Sequence, residues 1–448
     1  MRTAPVSTLL AAIILIGCAD NARLPAAAGI GAAPTLPAPT LSTLPTIAVA
    51  PARGWGAGET PTPAPGLSVT AFAAGLDHPR WLTVLPNGDV LVAESNAQPS
   101  RPKTLRDVAM KLTQGLAGAE APSPDRILLL RDADGDGVAE IRSEFLSGLV
   151  SPFGMALVGE ELYVADTDAL LRFRYRGGET RIAERGTVLA ALPAGAINHH
   201  WTKGLAAGPD GRTLFVSVGS NSDHGENGIE AEKGRAAIWE VDRATGAARI
   251  FASGLRNPVG LAFEPRTGTL WAVVNERDEL GGDLVPDYLT SVDAGSFYGW
   301  PYSYYGGHLD PRVTPQRPDL VERARIPDYA LGPHGAPLGL TFAADARLGA
   351  CFAEGAFVGQ HGSWNRKPRY GYRVIFVPFR DGRPSGAPQE VLAGFLDAAG
   401  NARGRPVGVA IDRGGALLVA DDVGNVVWRV TGEPGELIRS ASTRARSR

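Results

Sequence analysis

The chain repeats one pattern about six times, and this repetition is its strongest constraint on the fold. Each unit begins with a glycine-rich loop and continues with a short apolar strand, a turn of the Pro-Asp-Gly or Asn-Gly kind, and a second strand. One unit alone cannot bury both faces of its strands, whereas units stacked around an axis can. The six units cover residues 75–94, 148–166, 200–219, 254–273, 335–359 and 404–421.

The spacing of the units, about 50 to 75 residues, leaves room for four strands in each, as in a β-propeller. We therefore expect an all-β fold over residues 67–432, a six-bladed β-propeller with four-stranded blades. Residues 69–72 can complete the last blade beside residues 426–430, which would close the ring without a disulfide. An array of β-sandwiches is the structural alternative.

Composition agrees with this fold and excludes several classes of protein. The 56 glycines and 35 prolines among 448 residues favour short strands and turns over long helices. A formal net charge of −3 removes the bulk electrostatic case for nucleic-acid binding. Two cysteines cannot make a disulfide framework, a haem-attachment pair or a four-cysteine zinc site.

Residues 1–18 have the pattern of a secretory signal. Arg2 precedes an apolar run over residues 9–16, which is too short to span a bilayer. The run ends in Leu-Ile-Gly-Cys18, which resembles a bacterial lipobox with Cys18 as the lipidated residue. An ordinary signal with a chance cysteine is the alternative. We expect a protein anchored by lipid on the periplasmic side of a bacterial membrane, and Ala19 favours the outer one.

Two further segments are expected to lie outside the propeller. Residues 19–66 are rich in Ala, Pro and Thr, and we expect them to form an extended linker that cannot order itself. Residues 433–448, rich in Arg and Ser, are expected to be a flexible tail. Cys351 is expected to be a buried core residue, because an exposed thiol is reactive in an oxidising compartment.

The loops of the six units differ, and some carry titratable or planar side chains. In a propeller, the loops on one face converge on the central axis, so polar residues from different blades can share one site. The candidate residues are His200, Lys203, Arg256, Asn257, Glu276, Arg277, Asp278, Asp287, Arg366 and Arg405.

The order of the motifs around these residues resembles the soluble pyrroloquinoline-quinone (PQQ) sugar dehydrogenases. The resemblance covers roughly residues 67–432, and the sorbosone-dehydrogenase-like branch is the most similar. Four motifs in the same order carry the resemblance: His200-x-x-Lys203-Gly204-Leu205, Gly254-Leu255-Arg256-Asn257-Pro258, Phe297-Tyr298-Gly299-Trp300-Pro301 and Gly404-Arg405-Pro406.

The resemblance implies a cofactor site on the axis, with PQQ bound and a calcium ion bridging the cofactor and the protein. Arginine grips carboxylates in bidentate fashion, which suits the three carboxylates of PQQ. Arg256 and Arg405 match the family positions for this role, and Asn257 would lie beside the quinone. Arg366, or Lys367, would replace the family's lysine, and Lys203 is assigned to the cofactor by the same match.

The resemblance also implies the catalytic and metal residues. His200 matches the general base, which takes a proton from the substrate hydroxyl while hydride passes to the quinone. Asp287 would orient His200 by a hydrogen bond. Calcium, held by backbone carbonyls at Glu276, Arg277 and Asp278, would polarise the quinone carbonyl. The family's Gly-Pro is absent at these three positions.

Each role has a structural alternative. His200 can simply hydrogen-bond neighbouring loops, and Arg256 can be a blade-bracing ion pair. A second metal candidate, Asp132-Ala-Asp134-Gly-Asp136-Gly, begins like an EF-hand loop but has Ser143 where the bidentate glutamate belongs. It is either a calcium site completed by Glu140 or a plain acidic turn.

We therefore expect a PQQ-dependent dehydrogenase that oxidises a sugar, a sugar-derived aldehyde or a polyol. No Cys-x-x-Cys-His motif is present, so electrons would pass to an external acceptor, either a cytochrome or a quinone. Two alternatives remain at this point. One is a calcium-dependent propeller hydrolase such as a lactonase, which needs carboxylates around one metal. The other is a non-catalytic propeller that binds a partner.

Overall fold

The computed structural model describes residues 21–41, 46–99 and 105–432, and it has six four-stranded antiparallel blades around one axis. The predicted six-bladed propeller is confirmed. Blade 1 contains the strands Pro79–Val84, Val90–Glu94, Arg126–Arg131 and Ile141–Leu146. Blade 2 contains Met155–Val158, Glu161–Ala165, Ala169–Arg174 and Thr187–Ala191. Blade 3 contains Leu205–Ala207, Thr213–Val218, Ala237–Asp242 and Ala248–Ser253.

Blades 4 to 6 complete the ring in chain order. Blade 4 contains the strands Asn257–Phe263, Leu270–Asn275, Pro286–Val292 and Tyr329–Pro333. Blade 5 contains Pro337–Phe342, Gly355–Gln360, Arg373–Arg380 and Gln389–Ala393. Blade 6 contains Pro406–Ile411, Leu417–Asp421, Val426–Gly432 and Leu67–Ala74. The last of these strands comes from the start of the ring and pairs with Val426–Gly432. The predicted closure by strand pairing is therefore correct, and it joins the two ends of the propeller without a disulfide.

Glycines in the first strands bring the blades together at the axis. A methyl group at Gly204 would lie 2.0 Å from the Val259 carbonyl oxygen of the next blade, and one at Gly339 would lie 2.2 Å from the Val407 carbonyl oxygen. Only glycine permits backbones to approach so closely, and blades 2 to 6 each have a glycine in or just before the first strand that meets the next blade, whereas blade 1 has Trp81 at this position.

Apolar side chains between the blades supply the core. The buried residues fall into six clusters. Five lie between two neighbouring blades, and the one between blades 1 and 2 also includes Val259, Leu338 and Val407 from the first strands of blades 4 to 6. The alternating strand pattern explains this arrangement, since both faces of a blade are covered by its neighbours.

Short elements decorate the ring. The α-helices are Leu105–Leu116, after the second strand of blade 1, and Pro318–Val321; the 3-10 helices are Ala26–Gly29, Ile229–Glu232 and Ala350–Phe352. Ser303–Tyr304 pairs with His308–Leu309 in a separate hairpin, and Arg383–Pro384 extends the third strand of blade 5. No helix in the described ranges is long and apolar enough to cross a membrane.

The segment before the ring differs from its predicted form. We call residues 21–41 and 46–66 the strap, because they lie against the propeller instead of forming a free linker. Within the strap, Ile30–Gly31 pairs with the outer strand of blade 4, and Thr62–Pro63 pairs with the outer strand of blade 5. The outer strands offer unpaired backbone groups, and an extended chain can satisfy them. The prediction considered the segment alone and missed these partners.

Two other predictions concern cysteines and the tail. Cys351 is exposed, so the prediction that it is buried is wrong. It lies in the 3-10 helix Ala350–Phe352, in which the ring of Phe352 takes the buried position. Cys18 and residues 433–448 lie outside the described residues.

Candidate axial site

The predicted site residues reach one face of the propeller through two sets of loops. Loops before the first strand of a blade carry His200, Arg256 and Arg405, and loops after the second strand carry Glu276 to Asp278. We call this the upper face, and the opposite one the lower face. Loops of neighbouring blades are joined directly, since the Ser220 amide donates to the Arg256 carbonyl at 2.8 Å.

His200 is held in one tautomer by the loop after the second strand of blade 3. Its Nδ1 lies 2.8 Å from the Ser220 carbonyl oxygen and 3.1 Å from Ser220 Oγ. The carbonyl can only accept, and Ser220 Oγ donates its own proton to the Ser222 carbonyl at 2.6 Å. Nδ1 therefore carries the proton, and Nε2 is left as the acceptor.

The electrostatic surroundings keep His200 neutral. Burial lowers the pKa of His200 well below its usual value, and the neighbouring His199 and Arg256 lower it further. The two imidazole rings meet edge to face, with centroids 4.6 Å apart. A neutral imidazole with a free Nε2 is the form that a general base requires.

Asn257 lies next to His200 across Gly219. A methyl group at Gly219 would lie 2.2 Å from Asn257 Oδ1 and 2.5 Å from His200 Cβ. Asn257 is buried, and its Oδ1 has no hydrogen-bond partner in the described part of the protein. The glycine thus allows the His200 ring and an unpartnered amide oxygen to lie side by side, while the predicted roles of His200 as the base and of Asn257 beside a quinone stay predictions.

Arg256 is buried in an acidic cluster. Its guanidinium donates to Asp223 Oδ1 at 2.9 Å, to Asp278 Oδ2 at 3.3 Å and to the Glu276 carbonyl at 2.6 Å. Although burial alone would raise the pKa of Asp223, Arg256 and Arg312 help to hold it below its usual range. The structure thus gives Arg256 the ion pairs of the structural alternative, and it shares them with Asp223, a residue that the sequence did not single out.

The predicted calcium position holds arginine side chains. The Glu276 carbonyl accepts from Arg256, and the Asp278 carbonyl accepts from Arg312 at 2.9 Å. The Arg277 side chain is fully buried and pairs with Glu276 at 3.0 Å and Asp310 at 3.1 Å. This arrangement does not fit a calcium ion bound by these carbonyls, because two guanidinium groups already occupy them and carry the same sign of charge.

Arg405 differs from Arg256 because no carboxylate pairs with its guanidinium among the described residues. Its Nη2 donates to the Ala50 carbonyl of the strap at 3.2 Å, and its carbon Cζ lies 4.9 Å from the centroid of the Tyr372 ring. Arg405 is buried, and its Nε has no hydrogen-bond partner. A buried guanidinium with these properties is suited to a carboxylate of a ligand.

The structure places two of the predicted cofactor residues in other surroundings. Lys203 is fully buried and donates from Nζ to the Trp201 carbonyl at 3.0 Å, and burial lowers its pKa well below the usual value. Arg366 donates to the carbonyls of Gly282 and Pro368 at 2.9 and 2.8 Å. These contacts brace loops, and they leave neither side chain in position to grip a carboxylate.

Asp287 does not contact His200 in the structure. Its two carboxylate oxygens accept the amides of Glu276 and Ala336, each at 2.8 Å, while Ser220 takes the expected place beside the His200 ring. Burial raises the pKa of Asp287 to about 7. Asp287 therefore fixes two backbone segments, and the predicted orienting hydrogen bond is replaced by a backbone carbonyl.

Arg235 is a positioning residue that the sequence analysis missed. Its Nε donates to the Gly219 carbonyl at 2.9 Å, its Nη2 to the His200 carbonyl at 2.8 Å and its Nη1 to the Pro193 carbonyl at 2.9 Å. One buried guanidinium thus joins the backbone of His200 to that of Gly219. Only its place after a loop of polar residues could have drawn attention to it.

A second histidine on the upper face has the carboxylate partner that His200 lacks. His361 Nε2 lies 2.9 Å from Asp422 Oδ2, which also pairs with Arg80. Burial lowers the pKa of His361 to about 4. Although burial alone would raise the pKa of Asp422, His361 and Arg80 hold it below its usual range. Because its pKa is lowered, His361 is neutral, and its Nε2 donates a hydrogen bond to the Asp422 carboxylate.

Unpartnered polar atoms collect on the upper face. Most buried polar groups in proteins have a hydrogen-bond partner, so each exception calls for an explanation. Nine of the buried side-chain atoms without one, within the described ranges, belong to the upper-face loops or to the start of the first strands: Arg80 Nε, Ser95 Oγ, Asp166 Oδ1, Asn257 Oδ1, Glu276 Oε1, Asn365 Oδ1, Arg403 Nε, Arg405 Nε and Asp422 Oδ1.

Two features lie away from this site. A depression of about 640 Å³ opens on the lower face, between turns of blades 1, 5 and 6, and contains none of the predicted site residues. Asp132, Asp134, Asp136 and Glu140 bring ligand atoms within 4.8 Å of one another, but these oxygens also accept backbone amides of their own turn. The calcium site at this turn stays a prediction.

Comparison with known proteins finds two family models that match parts of the chain. Residues 158–360 match the family model described as Glucose / Sorbosone dehydrogenase, and residues 319–433 match the one described as TrAA12-like. Each match covers less than half of the chain. The predicted resemblance to the sugar dehydrogenases is confirmed over these residues, while the sorbosone-like branch stays a prediction.

The sequence relatives are distant. A protein of Borreliella burgdorferi is 26% identical over 299 residues, which cover 63% of this chain and 76% of that protein. The pyrroloquinoline quinone-dependent pyranose dehydrogenase of Coprinopsis cinerea is 25% identical over 223 residues, which cover 40% of this chain and 30% of that enzyme.

Solved structures share the whole propeller. The holo form of the pyranose dehydrogenase PQQ domain from Coprinopsis cinerea has a TM-score of 0.66 at 20% identity and covers 83% of this chain and 97% of that one. The calcium structure of Trichoderma reesei Carbohydrate-Active Enzymes Family AA12 has a TM-score of 0.66 at 17% identity and covers 86% of this chain and 99% of that one. At these identities the likeness establishes a common fold.

Proposed function

We propose that the protein is a PQQ-dependent dehydrogenase that oxidises a hydroxyl or hydrated aldehyde group of a sugar, sugar-derived aldehyde or polyol. The observation that carries the proposal is the pairing of neutral His200 with the unpartnered Asn257 Oδ1 across Gly219. Support also comes from the fold that the chain shares with the PQQ domain of the Coprinopsis cinerea pyranose dehydrogenase.

The residues of the upper face fit a polycarboxylate quinone. Arg405 offers a buried guanidinium with an unpartnered Nε and no carboxylate partner among the described residues. The other polar atoms without partners come from blade 6 itself and from blades 1, 2, 4 and 5, so a flat ligand lying across the axis could reach several of them. PQQ would supply the acceptor for two electrons when it is bound.

The chain's own residues would move the proton. His200 Nε2 is the acceptor atom, because the Ser220 carbonyl fixes the proton on Nδ1. The substrate hydroxyl would lose its proton to this atom as its carbon loses hydride. The same Ser220 carbonyl would then stabilise the imidazolium that forms, since Nδ1–H keeps its hydrogen bond.

The competing functions have less support. A calcium-dependent hydrolase needs carboxylates free to hold a metal, whereas Asp223 and Asp278 both accept hydrogen bonds from Arg256. Calcium receives no role in the proposed step for the same reason. A binding propeller without catalysis would leave the tautomer of His200 and the unpartnered Asn257 oxygen without a purpose.

The test uses the purified protein with added PQQ. We expect quinone binding by absorbance titration, and reduction of an artificial dye with a panel of aldoses, polyols and aldehydes. The His200→Asn variant should bind PQQ and lose turnover by roughly 10²- to 10⁴-fold. The His308→Asn variant is the matched control, because His308 lies on the separate hairpin beside Tyr304. The proposal fails if neither quinone binding nor dye reduction is seen.

The anchoring and the electron acceptor are part of the same proposal. Lipid on Cys18 would place the enzyme on the periplasmic side of a membrane, near a cytochrome or quinone acceptor. Cys18→Ser should release the protein from the lipid-dependent membrane fraction, as measured by detergent phase partition. Retention of the variant in the detergent phase would contradict lipidation.

A further inference from the structure

The helix Leu105–Leu116 carries an apolar stripe on its outer side. Val108, Leu112 and Leu116 lie four residues apart, which puts them on one face of the helix. Their side chains are 43%, 61% and 58% exposed. Met110, on the opposite side of the helix, and Thr113, on its flank, are half-buried. The stripe therefore points away from the protein.

The sequence around this stripe is basic. Residues 101–111 contain Arg101, Lys103, Arg106 and Lys111 against the single acid Asp107. Lys111 lies 3.7 Å from Glu120, which offsets part of this charge. A short helix with an apolar stripe and flanking cations is the pattern of an interfacial helix on anionic lipid.

Other exposed apolar side chains lie on the same face of the propeller. Val150 and Ile197 belong to loops before the first strands of blades 2 and 3, and Ile229 belongs to the loop after the second strand of blade 3. Leu41, in the strap, follows Thr40, whose amide donates to the upper-face residue Leu280. The upper face thus carries exposed apolar side chains in addition to those of the helix.

The strap brings the start of the chain to this face. The Ala22 amide donates to the Lys367 carbonyl at 2.8 Å, in the loop after the second strand of blade 5. Cys18 precedes Asn21 by three residues, and three peptide units span at most roughly 11 Å. A lipid on Cys18 would therefore hold the upper face close to the bilayer, whereas a free linker of residues 19–66 would not.

We propose that the upper face lies against a lipid bilayer, with Val108, Leu112 and Leu116 inserted at the interface between headgroups and acyl chains. The excess of Lys and Arg in the sequence of residues 101–111 favours anionic headgroups. The helix adds a membrane contact to the lipid anchor and orients the axial site toward the membrane. This inference goes beyond the proposed dehydrogenase activity and shares with that proposal only the lipid on Cys18.

The experiment measures vesicle binding by the full chain carrying Cys18→Ser, so that no lipid anchor contributes. We expect binding to vesicles of phosphatidylcholine with phosphatidylglycerol, and weaker binding to phosphatidylcholine alone. The combined variant Val108→Gln, Leu112→Gln and Leu116→Gln should bind on the order of 100-fold more weakly, from the apolar area that it withdraws.

A matched control distinguishes this surface from general stickiness. Val138, Val188 and Ile250 are also exposed, but they lie on outer strands or on a lower-face turn. Their combined change to Gln should leave vesicle binding within twofold. Equal losses in both combined variants, or no binding by the Cys18→Ser protein to either vesicle, would overturn the proposal.

Sedimentation tests a second copy of the chain as the occupant. The proposal expects the Cys18→Ser protein to remain monomeric without vesicles at micromolar concentration. If the Cys18→Ser protein forms a dimer that is lost in the combined variant of Val108, Leu112 and Leu116, the stripe mediates self-association and membrane docking is refuted. Because these measurements use no PQQ, their failure is separable from failure of the proposed dehydrogenase.

Discussion

Replacing Gly219 by alanine is the sharpest single test of the axial site. The added methyl would lie 2.2 Å from Asn257 Oδ1 and 2.5 Å from His200 Cβ. Ordinary contacts between such atoms are about 3.4 to 4 Å, so the two side chains must move by about 1 Å or more in total. The backbone of Gly219 is outside the left-handed region, and alanine can adopt it without strain.

The expected magnitude follows from this displacement. Overpacking of a tight site costs about 1–3 kcal/mol of folding stability, which a chain of this size can withstand. Misplacement of a base by about 1 Å lowers the rate by roughly 10²-fold. We therefore expect Gly219→Ala to remain folded and to lose about two orders of magnitude in kcat/KM, with weaker PQQ binding if Asn257 contacts the quinone.

The assay is dye-linked turnover with added PQQ, together with a PQQ titration and a denaturant unfolding curve. Gly177→Ala is the matched control, because a methyl at Gly177 meets no atom within 4 Å. Unchanged kcat/KM and PQQ affinity in a folded Gly219→Ala protein would refute the assignment of His200 and Asn257 to one site.

Three further predictions concern pH and the strap. Because burial and nearby cations lower the pKa of His200, its base form persists below pH 6.5, so kcat/KM should stay level above that pH and fall only in more acidic buffer. Burial raises the pKa of Asp166 from 3.8 to about 7, so the folded protein holds a proton there that the unfolded chain has released, and stability falls between these pH values. Asp166→Asn removes this loss. As the pH rises from 3.8 to about 7, the unfolding free energy of the variant relative to that of the wild type should therefore increase by at most about 4 kcal/mol, as measured by urea unfolding curves. Trp55→Ala removes the 2.7 Å hydrogen bond to Asp421 and should cost roughly 2 kcal/mol of stability, less than for a fully buried tryptophan, with faster proteolysis of the strap.

The ring could be predicted because its determinants are local and repeated. Each unit contains its own turn residues and its own alternating strands, and six units of that length close a ring. The glycines of the first strands fit the same pattern, since Gly204 and Gly339 contact the next blade in equivalent ways. His200 and Asn257 were also predictable, because loops on one face of a propeller converge whatever their sequence.

The partners of the charged residues could not be predicted in the same way. Arg256 meets Asp223 from a loop 33 residues earlier, and Asp223 sits in a stretch with no readable motif. An arginine that is paired with carboxylates, such as Arg256, and one that has no carboxylate partner among the described residues, such as Arg405, cannot be told apart in the sequence. His200 is oriented by the carbonyl of Ser220, and a backbone group leaves no trace in the residue pattern.

The strap escaped prediction because its stability comes from the ring. Its prolines and alanines bury little apolar surface, which predicts disorder for the isolated segment. Two exposed blade edges accept its strands, and the side chain of Arg369 donates to the Ala48 and Val49 carbonyls at 2.9 and 2.6 Å. Composition describes what a segment can do alone, whereas this segment is ordered by partners more than 300 residues away.

Asp421 links the strap to the axial site by hydrogen bonds. One carboxylate oxygen of Asp421 accepts the Arg405 amide at 2.7 Å, and the other accepts Trp55 Nε1 of the strap at 2.7 Å. The strap also covers Arg405 from above, because the Ala50 carbonyl takes its Nη2. A carboxylate that approaches Arg405 must therefore use the remaining donors of a guanidinium that the strap has already oriented. Loss of the strap would free this side chain to rotate, and the cost of ordering it again would fall on the ligand.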